Sequence, residues 1–275
     1  MPTYRGNRGN LLQHWVLAEL IGLLRREVQP TARLCFIDAH AMSPYAVRHS
    51  NPGQTGADFD SVAARLPGQC TAYERAWHEL SLQGRCRYPS SALLVRHLWQ
   101  GPLHLVLCEA DEETANEIAE WQQTLPPDTS SELHRGDWRA RFRQDLPVGF
   151  AAHLISFDPY MFDRHGPPAS PNPGNLGPSD IVRARAAVLG VARGPVVLQL
   201  STYSANNANS QEDVIANVEP VFNAAGLELA TTVRADGNMM SLVLTRDIGR
   251  IRDAQLQQRF TIWLERATVT GRGDR

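Results

Sequence analysis

Lysine is absent from the chain, so all 27 cationic residues are arginine. Any phosphate or carboxylate the protein binds must then be met by guanidinium, backbone amide or histidine. Cysteine is scarce: Cys35, Cys70, Cys86 and Cys108 are the four, and no pair has CxxC spacing. Neither a metal site nor a disulfide framework is expected from them. Cys35 and Cys108 sit inside apolar runs and read as small core residues. No apolar run approaches the ~18 residues that span a bilayer. The opening MPTYRGNRGN is polar and has no signal-peptide apolar region. No membrane partner is expected, and a cytoplasmic protein is the default. Charge of one sign is also missing. The formal net charge is −2, which counts against a dedicated nucleic-acid binder while leaving room for a local basic patch. What is present is a hydrophobic share of 43% over 275 residues, enough for one large α/β domain with a sizeable insertion.

Apolar periodicity orders the chain. Residues 10–27 carry Leu11, Leu12, Trp15, Leu17, Leu20, Ile21 and Leu24 at helical spacing. "RLCFIDAHA" is a short strand ending at Asp38. Residues 46–90 break the pattern and predict a helical insertion, with helices over "DFDSVAARL" and "AYERAWHELSL". A helix over 91–99 leads to a second strand, "LHLVLCEAD", followed by a helix over 114–123. "AAHLISFD" is the third strong strand. Residues 163–179 form a Pro/Gly-rich loop of the length often found in lids. A helix over 179–189, the strand "PVVLQLS" and a helix from Ser210 follow. Then comes a hairpin with Asp236-Gly237 at its turn, and a last helix over 253–266. Strands alternating with helices, closed by an antiparallel hairpin, predict an α/β fold. It is a doubly wound, Rossmann-like sheet of the kind seen in class I methyltransferases.

Five stretches carry candidate chemistry, each beside a plainer reading. "RGNRGNLLQH" enters the first helix and could receive an anionic or polar group at the helix N-terminus. Ordinary capping by Asn10 is the better local reading. In "DAHAMSPY", Asp38 just past a strand suits a cofactor or a nearby backbone amide. His40 could bond a carboxylate or serve as a satisfied structural histidine. Glu109 ends the second strand, where an acid accepts hydrogen bonds from two ribose hydroxyls in dinucleotide folds. In "HRGDWRARF", Asp137 and Trp138 could bracket an adenine ring, or Asp137 could cap a helix with Trp138 in the core. Arg139 and Arg143 lie one turn apart and could meet a phosphate, though a solvated helix face is the better reading. Last, Asp158-Pro159-Tyr160 closes the third strand. Such an acid can aim an acceptor amine and tolerate its developing charge, with the aromatic stacked on a flipped base. It can equally be a strand stopped by proline.

Together these pieces resemble the bacterial large-subunit ribosomal RNA adenine methyltransferases of the RlmJ type. "YRGNRGNLLQH" is similar to that family's N-terminal pattern, with Gly6, Asn7, Leu12 and His14 in step. Asp38-Ala39-His40-Ala41 resembles its Asp-Thr-His-Ala, and Tyr88-Pro89-Ser90-Ser91 its Tyr-Pro-Gly-Ser. Glu109 matches its acid after the second strand, and Asp158-Pro159 its catalytic motif. The likeness runs from Tyr4 to about Asp247. It implies a class I fold, S-adenosylmethionine as cofactor, and amine methylation on adenine, in RNA ahead of DNA. It also implies a cofactor site lined by His14, Asp38, His40, Ser91, Glu109 and Asp137, with Asp158, Pro159 and Tyr160 as the catalytic group. The chain departs from the family in three places. Met42-Ser43-Pro44 stand where the family has glycines, Gln13 stands for a lysine, and the second proline of the catalytic motif is missing. These departures keep two alternatives open, a partner module on the same scaffold and a small-molecule methyltransferase. The three-Cys-motif partner family is the second resemblance.

Overall fold

The computed structural model describes residues 3–4, 8–29, 31–44, 47–48, 71–82, 89–159, 161–162, 175–190, 194–203, 211–235, 239–248 and 255–269. Apolar runs become the strands of one seven-stranded sheet. They are β1 (Leu34–Asp38), β2 (Leu103–Glu109), β3 (Thr129–Arg135), β4 (Ala152–Phe157), β5 (Val196–Tyr203), β6 (Glu228–Arg234) and β7 (Met239–Arg246). Their spatial order is β3-β2-β1-β4-β5-β7-β6, with β7 antiparallel to both neighbours. All five residues of β1 and all six of β4 are buried, as expected of parallel strands covered on both faces. The direction of winding reverses between β1 and β4. That reversal places a crevice beyond the carboxyl ends of the central strands, the usual ligand position in open α/β sheets.

Eight helices are described: α1 (Arg8–Glu27), α2 (Ala72–Leu82), α3 (Ser91–Trp99), α4 (Glu112–Gln122), α5 (Trp138–Arg141), α6 (Pro178–Gly190), α7 (Gln211–Asn223) and α8 (Gln255–Val269). Two apolar cores flank the sheet. Helices α1, α2, α3, α4 and α8 fill one with Leu34, Phe36, Leu154 and Val243. Helices α5, α6 and α7 fill the other with Ile37, Phe157, Leu198 and Leu242. Helix α1 is buried without a break from Leu11 to Ala18. Its Trp15 meets Phe260 and Trp263 of α8 at ring distances of 5.3 and 6.0 Å.

Several expectations change. Helix α1 begins at Arg8, so Asn10 lies inside the helix rather than capping it. Strand β3 has no counterpart in the sequence reading. It is a polar edge strand with only Thr129 buried, so it lacks the apolar run that marks the others. Arg139 does not lie on a solvated face. It grips Asp180 of α6 through Nε at 2.7 Å and Nη2 at 2.9 Å, and also reaches Asp137. This two-pronged pair ties α5 to the start of α6. Asp180 in turn accepts the Gly177 amide. The helix expected over "DFDSVAARL", the Asp236-Gly237 turn, Tyr160 and the 163–174 part of the long loop lie outside the described residues.

Candidate functional site

At the carboxyl ends of the central strands lies a cavity of about 210 Å³. Among the described residues it is lined by Asn10, Gln13 and His14 of α1, His40, Ala41 and Met42 after β1, Ser91 of α3, Glu109 of β2, Thr114 of α4 and Asp158 after β4. Asn10, Gln13 and His14 fall at helical positions i, i+3 and i+4, which puts all three on one side of the helix.

The wall formed by α1 is held by buried polar contacts. His14, 2% exposed, has Nε2 within 3.2 Å of Ser91 Oγ. Burial drives the imidazole down to about 3, so His14 is neutral at physiological pH. Gln13 Nε2 donates to the same Ser91 oxygen at 3.4 Å. The Gln13 main-chain carbonyl accepts from Gln199 Nε2 of β5 at 2.8 Å, pinning the helix to the sheet. Ser91 is offered at the first turn of α3, where the Ser90 side chain caps the helix through the Leu93 amide.

The floor is acidic. Asp38, 1% exposed, ends β1, and its Oδ1 accepts the His40 amide at 3.2 Å. His40 Nδ1 accepts the Asp158 amide at 3.3 Å, which leaves the neutral ring's proton on Nε2. The His40 ring lies against Trp138 and Phe157, at 5.9 and 6.4 Å. The loop after β1 is fixed from three sides. Ala39 donates to Ser156, Ala41 donates to Cys108, and Ser43 Oγ donates to Glu117 of α4. Glu109 Oε1 accepts the Asp111 amide at 2.6 Å. Burial pushes the Glu109 carboxyl up to about 7 against the pull of that bond. Burial likewise lifts Asp38 to about 7, with Glu109 adding repulsion. Burial, with Asp38 beside it, lifts Asp158 to about 8. Three carboxyl groups therefore share one poorly hydrated corner, and each resists ionising.

The structure brings His14, His40, Ser91, Glu109 and Asp158 onto one cavity, with Asp38 directly behind His40. Pro159 is buried next to Asp158. Asp137 caps α5 through the Arg139 amide at 2.9 Å and is not among the residues that line this cavity. Trp138 is 1% exposed and packs on Phe142 and Phe157. Gln13 and Thr114 were not singled out as pocket residues from sequence. For Gln13, its place beside His14 on the helix was the available signal. Cys35 and Cys108 are buried, and burial pushes both thiols well up, which makes neither a nucleophile.

No protein-family model matches the chain, and no curated protein matches it. Solved structures do. Protein LPL1258 from Legionella pneumophila, described under family model DUF519, overlays with a TM-score of 0.58 at 13% identity, covering 95% of this chain and 92% of that one. Looser overlays include geranyl diphosphate methyltransferase in complex with S-adenosylmethionine, at a TM-score of 0.43 and 11% identity over 86% of this chain and 85% of that one. Aeropyrum pernix fibrillarin with natively bound S-adenosylmethionine overlays at 0.39 and 12%, over 84% and 76%. Overlaps of that size carry no residue correspondences. The strand order with an antiparallel seventh strand is that of the class I methyltransferase fold, and fold by itself does not assign chemistry. Among the described residues, no helix is long and apolar enough to cross a membrane.

Proposed function

We propose that the protein is an S-adenosylmethionine-dependent methyltransferase acting on an amine, with adenine in RNA ahead of DNA as the acceptor. The observation that carries this reading is the chemistry of the cavity lining. Glu109 and Asp158 come from the ends of two different strands, and no arginine is among the described lining residues. An acceptor-rich cavity without guanidinium suits a nucleoside bearing hydroxyls, amines and positive charge. It does not suit a nucleotide whose phosphates need cations.

S-adenosylmethionine, when bound, supplies a methyl group on a positively charged sulfur. In this reading the chain's own residues take the following roles. Glu109, anchored by the Asp111 amide, accepts from the ribose hydroxyls. His14 and Ser91, linked to each other, and His40 hold the amino-acid end. Asp158 accepts a hydrogen bond from the acceptor amine, aiming the nitrogen lone pair and drawing off positive charge as it develops. The proton shed by the methylated nitrogen passes to the ionised form of Asp158. Because the carboxyl is lifted to about 8, that form, and with it proton acceptance, grows as pH rises towards that value.

Thermal shift tests the cofactor. Either S-adenosylmethionine or S-adenosylhomocysteine at millimolar concentration should raise Tm, because a ligand far above its Kd stabilises the native state. The absence of a shift with both removes the proposal. One observation favours a second reading, a partner module on the same scaffold. Met42 stands in the cavity lining where a glycine would leave room, and 210 Å³ is below the ~300 Å³ at which small-molecule pockets usually begin. Binding of S-adenosylhomocysteine without methyl transfer to any RNA, DNA or small amine would support it.

A further inference from the structure

The floor of the cavity is acidic, and among the described lining residues no arginine faces it. Glu109 and Asp158 line it, and Asp38 sits behind them at the end of the central strand. From α1 the facing titratable group is His14, held neutral by burial. From the loop after β1 it is His40, whose Nδ1 is already an acceptor. From α4 and its cap come Glu117, bonded to Ser43, and Asp111, bonded to the Thr114 amide. On the β3–α5 side, Arg139 is turned onto Asp180 and Asp137. A separate feature of the same cavity points to a donor-bearing ligand. Gln13 is 2% exposed and in the lining, its Nε2 is committed to Ser91, and its Oε1 is buried with no donor. A buried acceptor left without a partner is unfavourable by itself.

We propose that Glu109 and Asp158, backed by Asp38 and joined by Gln13 Oε1, make this cavity a charge filter that holds a cationic ligand over a neutral one of the same shape. The inference rests on the proposed function. Applied to it, the filter favours the sulfonium methyl donor over S-adenosylhomocysteine, its neutral-sulfur product, and so favours product release after transfer. The discrimination must grow with pH, because the lifted carboxyls of Asp38, Glu109 and Asp158 gain charge between about pH 6 and pH 9.

Isothermal titration of the full chain with S-adenosylmethionine and S-adenosylhomocysteine at pH 6 and pH 8.5 tests this. The expected result is a Kd ratio of about ten or more in favour of the sulfonium at pH 8.5, narrowing to within about threefold at pH 6. Gln13→Glu, which adds a carboxyl, widens the ratio at pH 8.5, and Glu109→Gln narrows it. Equal Kd values at pH 8.5, or a ratio that does not move with pH, overturn the filter and leave the cofactor assignment standing. Binding of neither ligand overturns both. The wild-type comparison does not depend on either variant folding.

Discussion

Replacing Asp158 with asparagine should make the ligand-free protein more stable at alkaline pH. The native state lifts this carboxyl from 3.8 to about 8, first by burial and then by repulsion from Asp38. Between those two values the native state holds a proton that the unfolded chain has released. Stability therefore falls as pH rises through that window, being fully present below about pH 4 and lost by about pH 8. The slope is about 1.4 kcal/mol per pH unit for one proton. From pH 6 to pH 8 the wild type should lose about 2–3 kcal/mol that Asp158→Asn retains. Asp38 and Glu109 are common to both proteins, so most of their own titration cancels in the difference. Urea unfolding of the two proteins at pH 6, 7 and 8 measures the quantity directly. Thermal scans should show the Tm gap opening by roughly 5 °C across the same range. Curves that run parallel, with a fixed offset at every pH, would refute the claim that Asp158 is a desolvated acid in a crowded cluster. The same variant should lose methyl transfer while still binding the cofactor.

Other consequences are independent of that one. Glu109→Ala should weaken S-adenosylmethionine binding about ten- to a hundredfold by calorimetry, with circular dichroism unchanged. Asp180→Ala removes the two-pronged partner of the largely buried Arg139, and should cost about 3 kcal/mol in urea unfolding. Trp138→Ala empties the space between Phe142, Phe157 and His40. It should cost about 3–5 kcal/mol and reduce binding as well, because the His40 ring loses a wall.

Much of the fold was legible because parallel strands buried on both faces must be apolar runs. "CFID", "LVLCE" and "HLISF" stand out for that reason, and the acids that end them mark the crevice. Strand β3 was not legible, since an edge strand needs only partial cover and "TSSELHR" has no apolar stripe. The turn chemistry around Asn10 suggests a cap, yet the helix starts two residues earlier and Asn10 lines the cavity. Asp137 shows the limit of motif reading. Local sequence allows a ring contact or a cap. The cap is made by the Arg139 amide, and the grip of the Arg139 side chain on Asp180, 41 residues away, is the part no local motif shows. Gln13 differs again: its place beside His14 is the local hint, while its buried contacts come from Ser91 and Gln199 in distant parts of the chain.

The central claim is that one cavity, floored by Glu109 and Asp158, holds S-adenosylmethionine. Equilibrium binding of the radiolabelled cofactor to the wild type and to Glu109→Ala at pH 7.5 tests it most directly. The account predicts saturable binding of one equivalent, displaced by S-adenosylhomocysteine and weakened at least tenfold in the variant. No saturable binding by the folded wild type, or equal binding by the two proteins, would contradict it.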